Sequence, residues 1–200
     1  MFGKSAYAEF SLDEEGFTHR GKQYSFDDIA HIFFSRTTTT QRLNFVKVGV
    51  VDSSILKVFL KSGKKLNITV DEAGLFYWSN KDKTHELDYI LKIYQLLCER
   101  TFKSRIAKYL SQLESLGYFV YDECAFNPSE QTITFRNKQF PISSTDLLRG
   151  AGYISLQRKN AGLADKIIRE MVLTKSPQFN TQTDTDVIFS LLKHFFNVAW

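Results

Sequence analysis

Thr84 to Leu116 form a run of 33 residues near the middle of the chain that contains neither proline nor glycine. Apolar residues recur along it at intervals of three and four, which is the periodicity of an amphipathic helix. At about 1.5 Å per residue, one unbroken helix over this run would be about 50 Å long. Gly117 follows it and is a natural helix stop. The apolar positions are Leu87, Ile90, Leu91, Tyr94, Leu97, Cys98, Phe102, Ile106, Tyr109, Leu110, Leu113 and Leu116.

Composition limits the classes of protein to which the chain can belong. Its 200 residues are 43% hydrophobic and 24% charged, which is typical of a globular chain with one large domain or two small ones. The 18 phenylalanines and 9 tyrosines favour sheets covered by helices over a bundle of helices. The formal charge is +4, and the basic residues are mixed with 22 acidic ones. Nucleic-acid binding is therefore not expected.

Cysteine usage and hydropathy predict a cytoplasmic protein. Cys98 falls on the apolar face of the predicted helix and Cys124 in a strand-like run, so both are interpreted as buried thiols. The N-terminal residues lack the apolar core of a signal peptide, and the chain has no apolar run long enough to cross a membrane. These features fit a reducing compartment.

Strand-like segments fill most of the chain before the helix. Period-two alternation and valine-rich runs predict antiparallel strands, with tight turns at Gly21-Lys22 and at Lys61 to Lys64. The polar run Thr37 to Gln41 is predicted to be an exposed loop or the tip of a hairpin. The predicted strands before the helix are 7–12, 17–20, 23–26, 29–36, 43–51, 55–60 and 65–70.

The second half of the chain repeats patterns of the first. Phe17 to Phe26 lies over Ile133 to Ile142, so that the turn pair Gly21-Lys22 matches Asn137-Lys138. Glycine and asparagine both tolerate the positive φ of a tight hairpin turn, so the match has a backbone reason. The start of the central helix also matches the run from Thr185, and we infer a duplication with a shorter second copy. The predicted strands after the helix are 118–126, 131–136, 150–156 and 167–174.

The order of the predicted elements resembles that of the pleckstrin homology fold, particularly its small bacterial relatives. The resemblance is carried by Phe10 to Ile29, with its Asp13-Glu14-Glu15-Gly16 turn and its Gly21-Lys22 turn, and by the closing helix from Thr84. It implies a bent antiparallel sheet closed by an amphipathic helix, in a protein that binds a partner rather than one that catalyses a reaction.

The fold class expected from the repeat and the resemblance is α+β, with two pleckstrin homology-like units in tandem. The first unit is expected to span residues 1–99, a connecting helix residues 100–117, and a second, shorter unit residues 118–200. Each unit would be a bent antiparallel sheet with an amphipathic helix at its C-terminal end.

The sequence contains no recognisable motif for catalysis or for a cofactor. Arg149-Gly150-Ala151-Gly152-Tyr153 lacks the Lys and Ser/Thr that a phosphate-binding loop needs. The histidines do not have the spacing of metal ligands. We therefore expect a protein that is not an enzyme and has neither cofactor nor metal, and an enzyme whose site forms only in three dimensions is the alternative. The histidines are His19, His31, His85 and His194.

Two groups of basic residues are the candidates for a binding site. One surrounds the predicted hairpin at Lys61 to Lys64, and the other lies near the middle of the central helix. Each also has a purely structural interpretation, because lysines protect sheet edges from pairing and cations cover solvated helix faces. The groups are Lys57, Lys61, Lys64 and Lys65 in the hairpin, and Arg100, Lys103, Arg105 and Lys108 in the helix.

A protein or peptide is the preferred partner class, and an anionic membrane surface is the alternative. The phosphoinositide-binding members of the resembled family carry a Lys/Arg cluster around their first hairpin. Here that turn is Asp13-Glu14-Glu15-Gly16, which would repel a phosphate. Arg20 and Lys22 lie on the strand beyond it and are too few to restore the pattern. The resemblance thus lends little support to lipid recognition, and the sequence leaves the oligomeric state open.

Overall fold

The chain is an α+β protein built mostly from antiparallel sheets. The computed structural model describes residues 10–43, 46–75, 84–159 and 177–198. Within them are two helices and four antiparallel sheets, none of which closes on itself. The chain divides into two compact units, Met1–Lys103 and Ser104–Trp200. The division falls inside the central helix, four residues after the end predicted for the first unit.

The first unit contains two three-stranded sheets. Its first sheet is a meander of short strands, and a 3-10 turn at Phe26–Asp28 leads into a second sheet of long strands. The strands are β1 (Phe10–Leu12), β2 (Gly16–His19), β3 (Lys22–Ser25), β4 (Ile29–Leu43), β5 (Val46–Leu60) and β6 (Lys65–Leu75). Helix α1 (Thr84–Leu116) then begins at the predicted residue.

Two strands of the second sheet are longer than predicted. The predicted loop or hairpin tip at Thr37 to Gln41 is wrong, since these residues continue β4 and pair with Gly49 to Ser53 of β5. The predicted break between 51 and 55 is also absent, because β5 runs unbroken from Val46 to Leu60. Threonine is β-branched and fits a strand well, so a threonine run opposite a valine-rich one favours pairing over a loop.

The core of the first unit lies between the sheets and the N-terminal half of α1. Ile90 and Leu97, two of the predicted apolar positions of the helix, are buried. Ile93 is buried as well, although it was not among those positions. Tyr94 is half-buried and stacks on Phe34, with 4.6 Å between ring centroids. The strand residues of this core are Phe10, Phe17, Ile29, Ile32, Leu56, Val58, Leu60, Leu66 and Ile68.

The second unit begins with the C-terminal part of α1 and ends with a short helix. The predicted helix stop is confirmed, because Gly117 has φ +76° and donates its N–H to the carbonyl of Leu113 at 2.9 Å. A four-stranded meander, a 3-10 turn at Ile142–Ser144 and a three-stranded sheet follow. The elements are β7 (Phe119–Tyr121), β8 (Cys124–Asn127), β9 (Thr132–Phe135), β10 (Lys138–Pro141), β11 (Thr145–Arg149), β12 (Tyr153–Arg158), β13 (Gln178–Asn180) and α2 (Thr185–Phe196).

Two strand predictions in this half meet different outcomes. The single strand predicted over 118–126 is instead the hairpin β7–β8, with Asp122 at φ +53° in its turn. The strand predicted at 167–174 lies outside the described residues.

Aromatic rings pack against one another in the core of the second unit. Phe119 and Phe126 stack with ring centroids 4.8 Å apart, and Phe179 meets Phe126 edge to face at 5.4 Å. Phe196 of α2 also packs edge to face against Phe126, with ring centroids 6.1 Å apart. Tyr109 of α1 is buried against Phe119 at 6.0 Å. Both helices therefore contribute to this core.

Both predicted hairpins with a two-residue turn are present, but each turn lies one residue earlier than predicted. His19 pairs with Lys22, so Arg20 and Gly21 form the first turn at φ +52° and +73°. Arg136 and Asn137 form the second at φ +45° and +65°. Two successive residues at positive φ are the signature of a type I′ turn, whose twist matches that of the strands.

Candidate functional site

A basic cavity lies between two hairpins of the first unit. It has a volume of 380 Å³, and five of its eight lining residues are basic or histidine. None of the eight is acidic. We call this cavity the first basic hollow. Its lining residues are His19, Arg20, Lys22, Tyr24, Lys64, Lys65, Leu66 and Asn67.

The β2–β3 hairpin supplies one wall of the hollow. His19 and Lys22 are directly opposite each other, and Tyr24 lies two residues beyond Lys22 on the same face of the strand. Arg20 is the first residue of the type I′ turn that joins His19 to Lys22. Register alone therefore places these four side chains on one end of the hairpin.

The turn between β5 and β6 supplies the opposite wall. Gly63 has φ +83°, and the N–H of Leu60 donates to the carbonyl of Lys64 at 2.8 Å, which closes the turn. The N–H of Lys61 donates to the carbonyl of Asp28 at 2.8 Å. This bond fixes the β5–β6 turn to the 3-10 turn that follows β3, so Lys64 and Lys65 face the β2–β3 hairpin.

Tyr24 positions one of the ammonium groups. Lys64 Nζ donates a hydrogen bond to the Tyr24 hydroxyl and lies 4.9 Å from the centre of its ring. Tyr24 in turn stacks on the fully buried Phe17 at 5.2 Å. An ammonium has three N–H donors, so Lys64 retains donors for a ligand after bonding to Tyr24. The tyrosine therefore holds a flexible lysine in place at the mouth of the hollow.

The chemistry of the hollow suits an anion. Arg20, Lys22, Lys64 and Lys65 are exposed, and their charges converge on a concave surface without a lining carboxylate. A cleft lined by one sign of charge concentrates counter-ions of the other sign. Phosphate, sulfate and carboxylate groups are the ligands that lysine and arginine recognise.

The predicted hairpin lysines divide into two pairs. Lys64 and Lys65 line the hollow, whereas Lys57 and Lys61 do not. Lys57 Nζ lies 4.6 Å from the centre of the Phe33 ring. Arg20 and Lys22, which were too few in sequence to indicate a site, are joined there by the two lysines from the other hairpin. The sequence signal that could have found them is the hairpin register, which places His19 opposite Lys22.

The predicted helix group does not form one surface. Arg100, Lys103 and Lys108 are exposed, but Arg105 is buried with its side chain inaccessible to solvent. Arg105 as an accessible binding residue is therefore wrong. Its charge is taken up by an ion-pair cluster inside the second unit rather than offered to a partner.

Two carboxylates surround the Arg105 guanidinium. Nη1 lies 2.9 Å from Asp184 Oδ1 and 2.9 Å from Asp186 Oδ1, and Nη2 lies 2.5 Å from Asp186 Oδ2. The Asp184 side chain is inaccessible to solvent, whereas that of Asp186 is 26% exposed. Burial raises the pKa of Tyr109, and the charge of Asp184 raises it further. These groups hold the start of α2 against α1 and serve a structural role.

Two other chemical features of the described residues concern metal binding and thiol reactivity. In residues 10–43, 46–75, 84–159 and 177–198, no three His, Cys, Asp or Glu side chains are grouped so that they could hold a metal ion. Cys98 and Cys124 are buried thiols, as predicted. Burial, reinforced by Asp122 and Glu123, raises the pKa of the Cys124 thiol to about 12, which opposes thiolate chemistry.

Neither the apolar character of the helices nor similarity to known proteins assigns a function to the chain. Among the described helices, none is both long and apolar enough to cross a membrane. The chain matches no protein-family model, no curated protein and no solved structure. The inference of function therefore rests on the first basic hollow.

Proposed function

We propose that the protein is a non-enzymatic binding module of two pleckstrin homology-like units, whose first basic hollow holds an anionic group of a protein or peptide partner. The observation that carries the proposal is the convergence of Arg20, Lys22, Lys64 and Lys65 on one cavity without a lining carboxylate. Surface lysines that merely solubilise a sheet edge would not need to come from two hairpins and face each other.

Matching hydrogen bonds in the two units support the duplication. Each two-residue hairpin is followed at once by a 3-10 turn and then by the first strand of the next sheet. In the first unit the N–H of Lys61 donates to the carbonyl of Asp28 at 2.8 Å. In the second, the N–H of Lys159 donates to the carbonyl of Ser144 at 2.8 Å. Asp28 and Ser144 are both the last residue of their 3-10 turn, so the two bonds are equivalent.

The loops before the two hairpins also share a hydrogen bond between a side chain and the backbone. Asp13 Oδ1 accepts the N–H of Glu15 at 3.0 Å and that of Gly16 at 2.6 Å. Asn127 Oδ1 accepts the N–H of Glu130 at 3.2 Å. In each unit a side chain at the end of a strand caps the loop that leads to the hairpin, a role that suits Asp and Asn.

The acidic turn that argued against phosphate recognition lies away from the hollow. The turn at 13–15 precedes β2, and Arg20 follows it. Four strand residues separate them, which is about 13 Å. The repulsion expected from the acidic turn therefore applies to the first loop, whereas the cations converge at the far end of the hairpin.

A protein or peptide partner is favoured over a membrane by the residues at the two turns. The tips beside the hollow are Arg20-Gly21 and Lys61 to Lys64, and neither carries an apolar side chain that could enter the acyl boundary. The membrane alternative also relied on the middle of α1, where Arg105 is buried. Charge alone would leave adsorption to lipid weak and strongly dependent on salt.

The proposal is tested by NMR titration of the ¹⁵N-labelled protein at constant ionic strength. Inorganic phosphate is expected to shift the amides of Lys22, Lys64 and Lys65 saturably, because the anion enters the hollow. The K64A/K65A variant should lose these shifts. The control K92A/K103A removes the same charge from exposed positions of the first unit that do not line the hollow, and it should retain them.

Several outcomes would overturn the proposal. Absence of saturable shifts in the hollow would end it, and so would equal weakening in the control variant, because binding would then follow net charge. Sedimentation with anionic liposomes at low and high salt tests the membrane alternative. Salt-sensitive sedimentation that is lost in K64A/K65A would replace the peptide partner with a lipid surface.

A further inference from the structure

The second unit carries a larger basic cavity beside its own two-residue hairpin. Its volume is 630 Å³, and three of its eight lining residues are lysine or arginine while none is acidic. We call it the second basic hollow. Its lining residues are Lys138, Gln139, Phe140, Pro141, Ser144, Thr145, Arg158 and Lys159.

One wall of the second hollow, strand β10, matches strand β3 of the first hollow by strand register. Lys138 is opposite Phe135 across a two-residue turn, as Lys22 is opposite His19. Phe140 lies two residues beyond Lys138, as Tyr24 does beyond Lys22, so each hollow pairs a lysine with an aromatic ring on one face of its hairpin. The other wall of the second hollow is the end of β12, where Arg158 pairs with Thr145.

One cation of the second hollow is fixed by the backbone. Lys159 Nζ donates to the carbonyls of Ile142 and Ser143 at 3.2 Å and 3.1 Å. These bonds hold the ammonium against the 3-10 turn and leave it one donor. Lys138 and Arg158 are exposed on the two walls. Arginine presents two parallel N–H groups, which match the oxygens of a phosphate.

The backbone of β10 adds a second kind of recognition. Among the described strands β10 is at the edge of its sheet, and all four of its residues line the hollow. Lys138 and Phe135 close the turn, so in an antiparallel ladder the next residue, Gln139, directs its N–H and carbonyl away from β9. Pro141 has a carbonyl but no N–H. An extended peptide can therefore pair with β10 at Gln139 over a short length.

We infer that the second basic hollow is a second binding site, and that its ligand is a phosphorylated serine or threonine within an extended peptide. A phosphomonoester carries a charge of about −1.5 to −2 and three acceptor oxygens, which suit three converging cations better than one carboxylate does. The hollow is larger than the first, 630 Å³ against 380 Å³, and so has room for residues that flank the phosphate. The choice of an anionic ligand rests on the proposed function, whereas the site itself stands on its own geometry.

The test compares a phosphoserine peptide with its unphosphorylated counterpart by NMR titration of the full ¹⁵N-labelled chain. We expect the phosphopeptide to shift amides at Lys138, Gln139 and Lys159, and the unphosphorylated peptide not to. The K138A/R158A variant should weaken binding at these amides about tenfold or more, because two charge-assisted contacts are lost. The control R100A/K193A removes one arginine and one lysine that line neither hollow and should change the affinity less than about twofold.

The outcomes separate this inference from the proposed function. Shifts at Lys138 and Lys159 without shifts at Lys22 and Lys64, with the phosphopeptide and with inorganic phosphate alike, would overturn the proposed function and support the second site. The reverse pattern would overturn the second site alone. The inference also fails if both peptides shift the second hollow equally, if inorganic phosphate binds there as tightly as the phosphopeptide, or if anionic vesicles compete the peptide away. Equal weakening in K138A/R158A and in the control would likewise overturn it.

Discussion

Replacement of Arg105 with methionine should destabilise the second unit severely. Methionine keeps much of the aliphatic length of the side chain but removes three hydrogen bonds to two carboxylates. Asp186 is 26% exposed and can recover solvation, whereas the Asp184 side chain is inaccessible to solvent and would lose its ion pair without gaining water. Breaking one side of a buried pair typically costs about 3–5 kcal/mol. That is a large part of the total stability of a domain, which is about 5–15 kcal/mol.

A double-mutant cycle isolates the charge. Asp184 has φ +46° just before α2, and asparagine accepts this conformation nearly as well as any residue but glycine. R105M/D184N should therefore be less destabilised than the sum of the single variants, with a coupling of about 1–3 kcal/mol. R100M, at an exposed position of the same helix, is the control and should stay within about 0.5 kcal/mol of the wild type.

Urea denaturation followed by circular dichroism gives the overall change, and native-state hydrogen exchange of amides in β9 and α2 reports the second unit directly. A loss below about 1 kcal/mol for R105M would refute the reasoning, since Asp184 would then not depend on the arginine. Additive single variants would refute it too, because the two side chains would act independently.

Three further predictions concern buried groups and a close backbone contact. Stability should fall by about 1.4 kcal/mol per pH unit for each group, above about pH 9 for Cys124 and above about pH 10 for Tyr109 and Tyr121. The reason is that the unfolded thiol and phenol groups ionise there, while the raised pKa values keep the folded groups protonated. Urea midpoints between pH 8 and 11 measure this, and constant midpoints would contradict it. At pH 8, alkylation of Cys124 in the folded protein, followed by mass spectrometry, should be slower than in urea by on the order of a thousandfold, and comparable rates would show that the thiol is accessible. Gly16→Ala should lower the free energy of unfolding by about 1–3 kcal/mol in urea titrations, because the new Cβ would lie 2.1 Å from the Tyr24 carbonyl oxygen; an unchanged midpoint would mean that the β2–β3 hairpin adjusts.

Local patterns predicted most of the elements. The helix over Thr84 to Leu116 has the predicted bounds because its length, its periodicity and Gly117 all act within the segment itself. Hairpin turns were predicted within one residue, since positive φ restricts the residues that can occupy them. The threonine run was assigned to a loop on polarity alone, and only its pairing with β5 makes it a strand.

Long-range partners were beyond the reach of those patterns. Arg105 is 79 residues from Asp184 and 81 from Asp186, so helical spacing could not distinguish a buried ion pair from a solvated cation. The first basic hollow also depends on contacts between residues that are far apart in sequence. Arg20 and Lys22 approach Lys64 and Lys65 where the Lys61–Asp28 hydrogen bond and the pairing of Ile29 with Leu60 join two turns that are far apart in sequence.

The conformation of Arg20 carries an energetic consequence for the hollow. Its φ of +52° places an ordinary L-residue in the left-handed region, at a cost of about 1–2 kcal/mol relative to glycine. Asn-Gly is the preferred pair for this kind of turn, so Arg20→Asn should strengthen the hairpin while it removes one positive charge from the cavity wall. We therefore expect Arg20→Asn to raise the free energy of unfolding and to lower the affinity for anions. A variant in which both increased would contradict the inference that the strained Arg20 contributes to ligand binding.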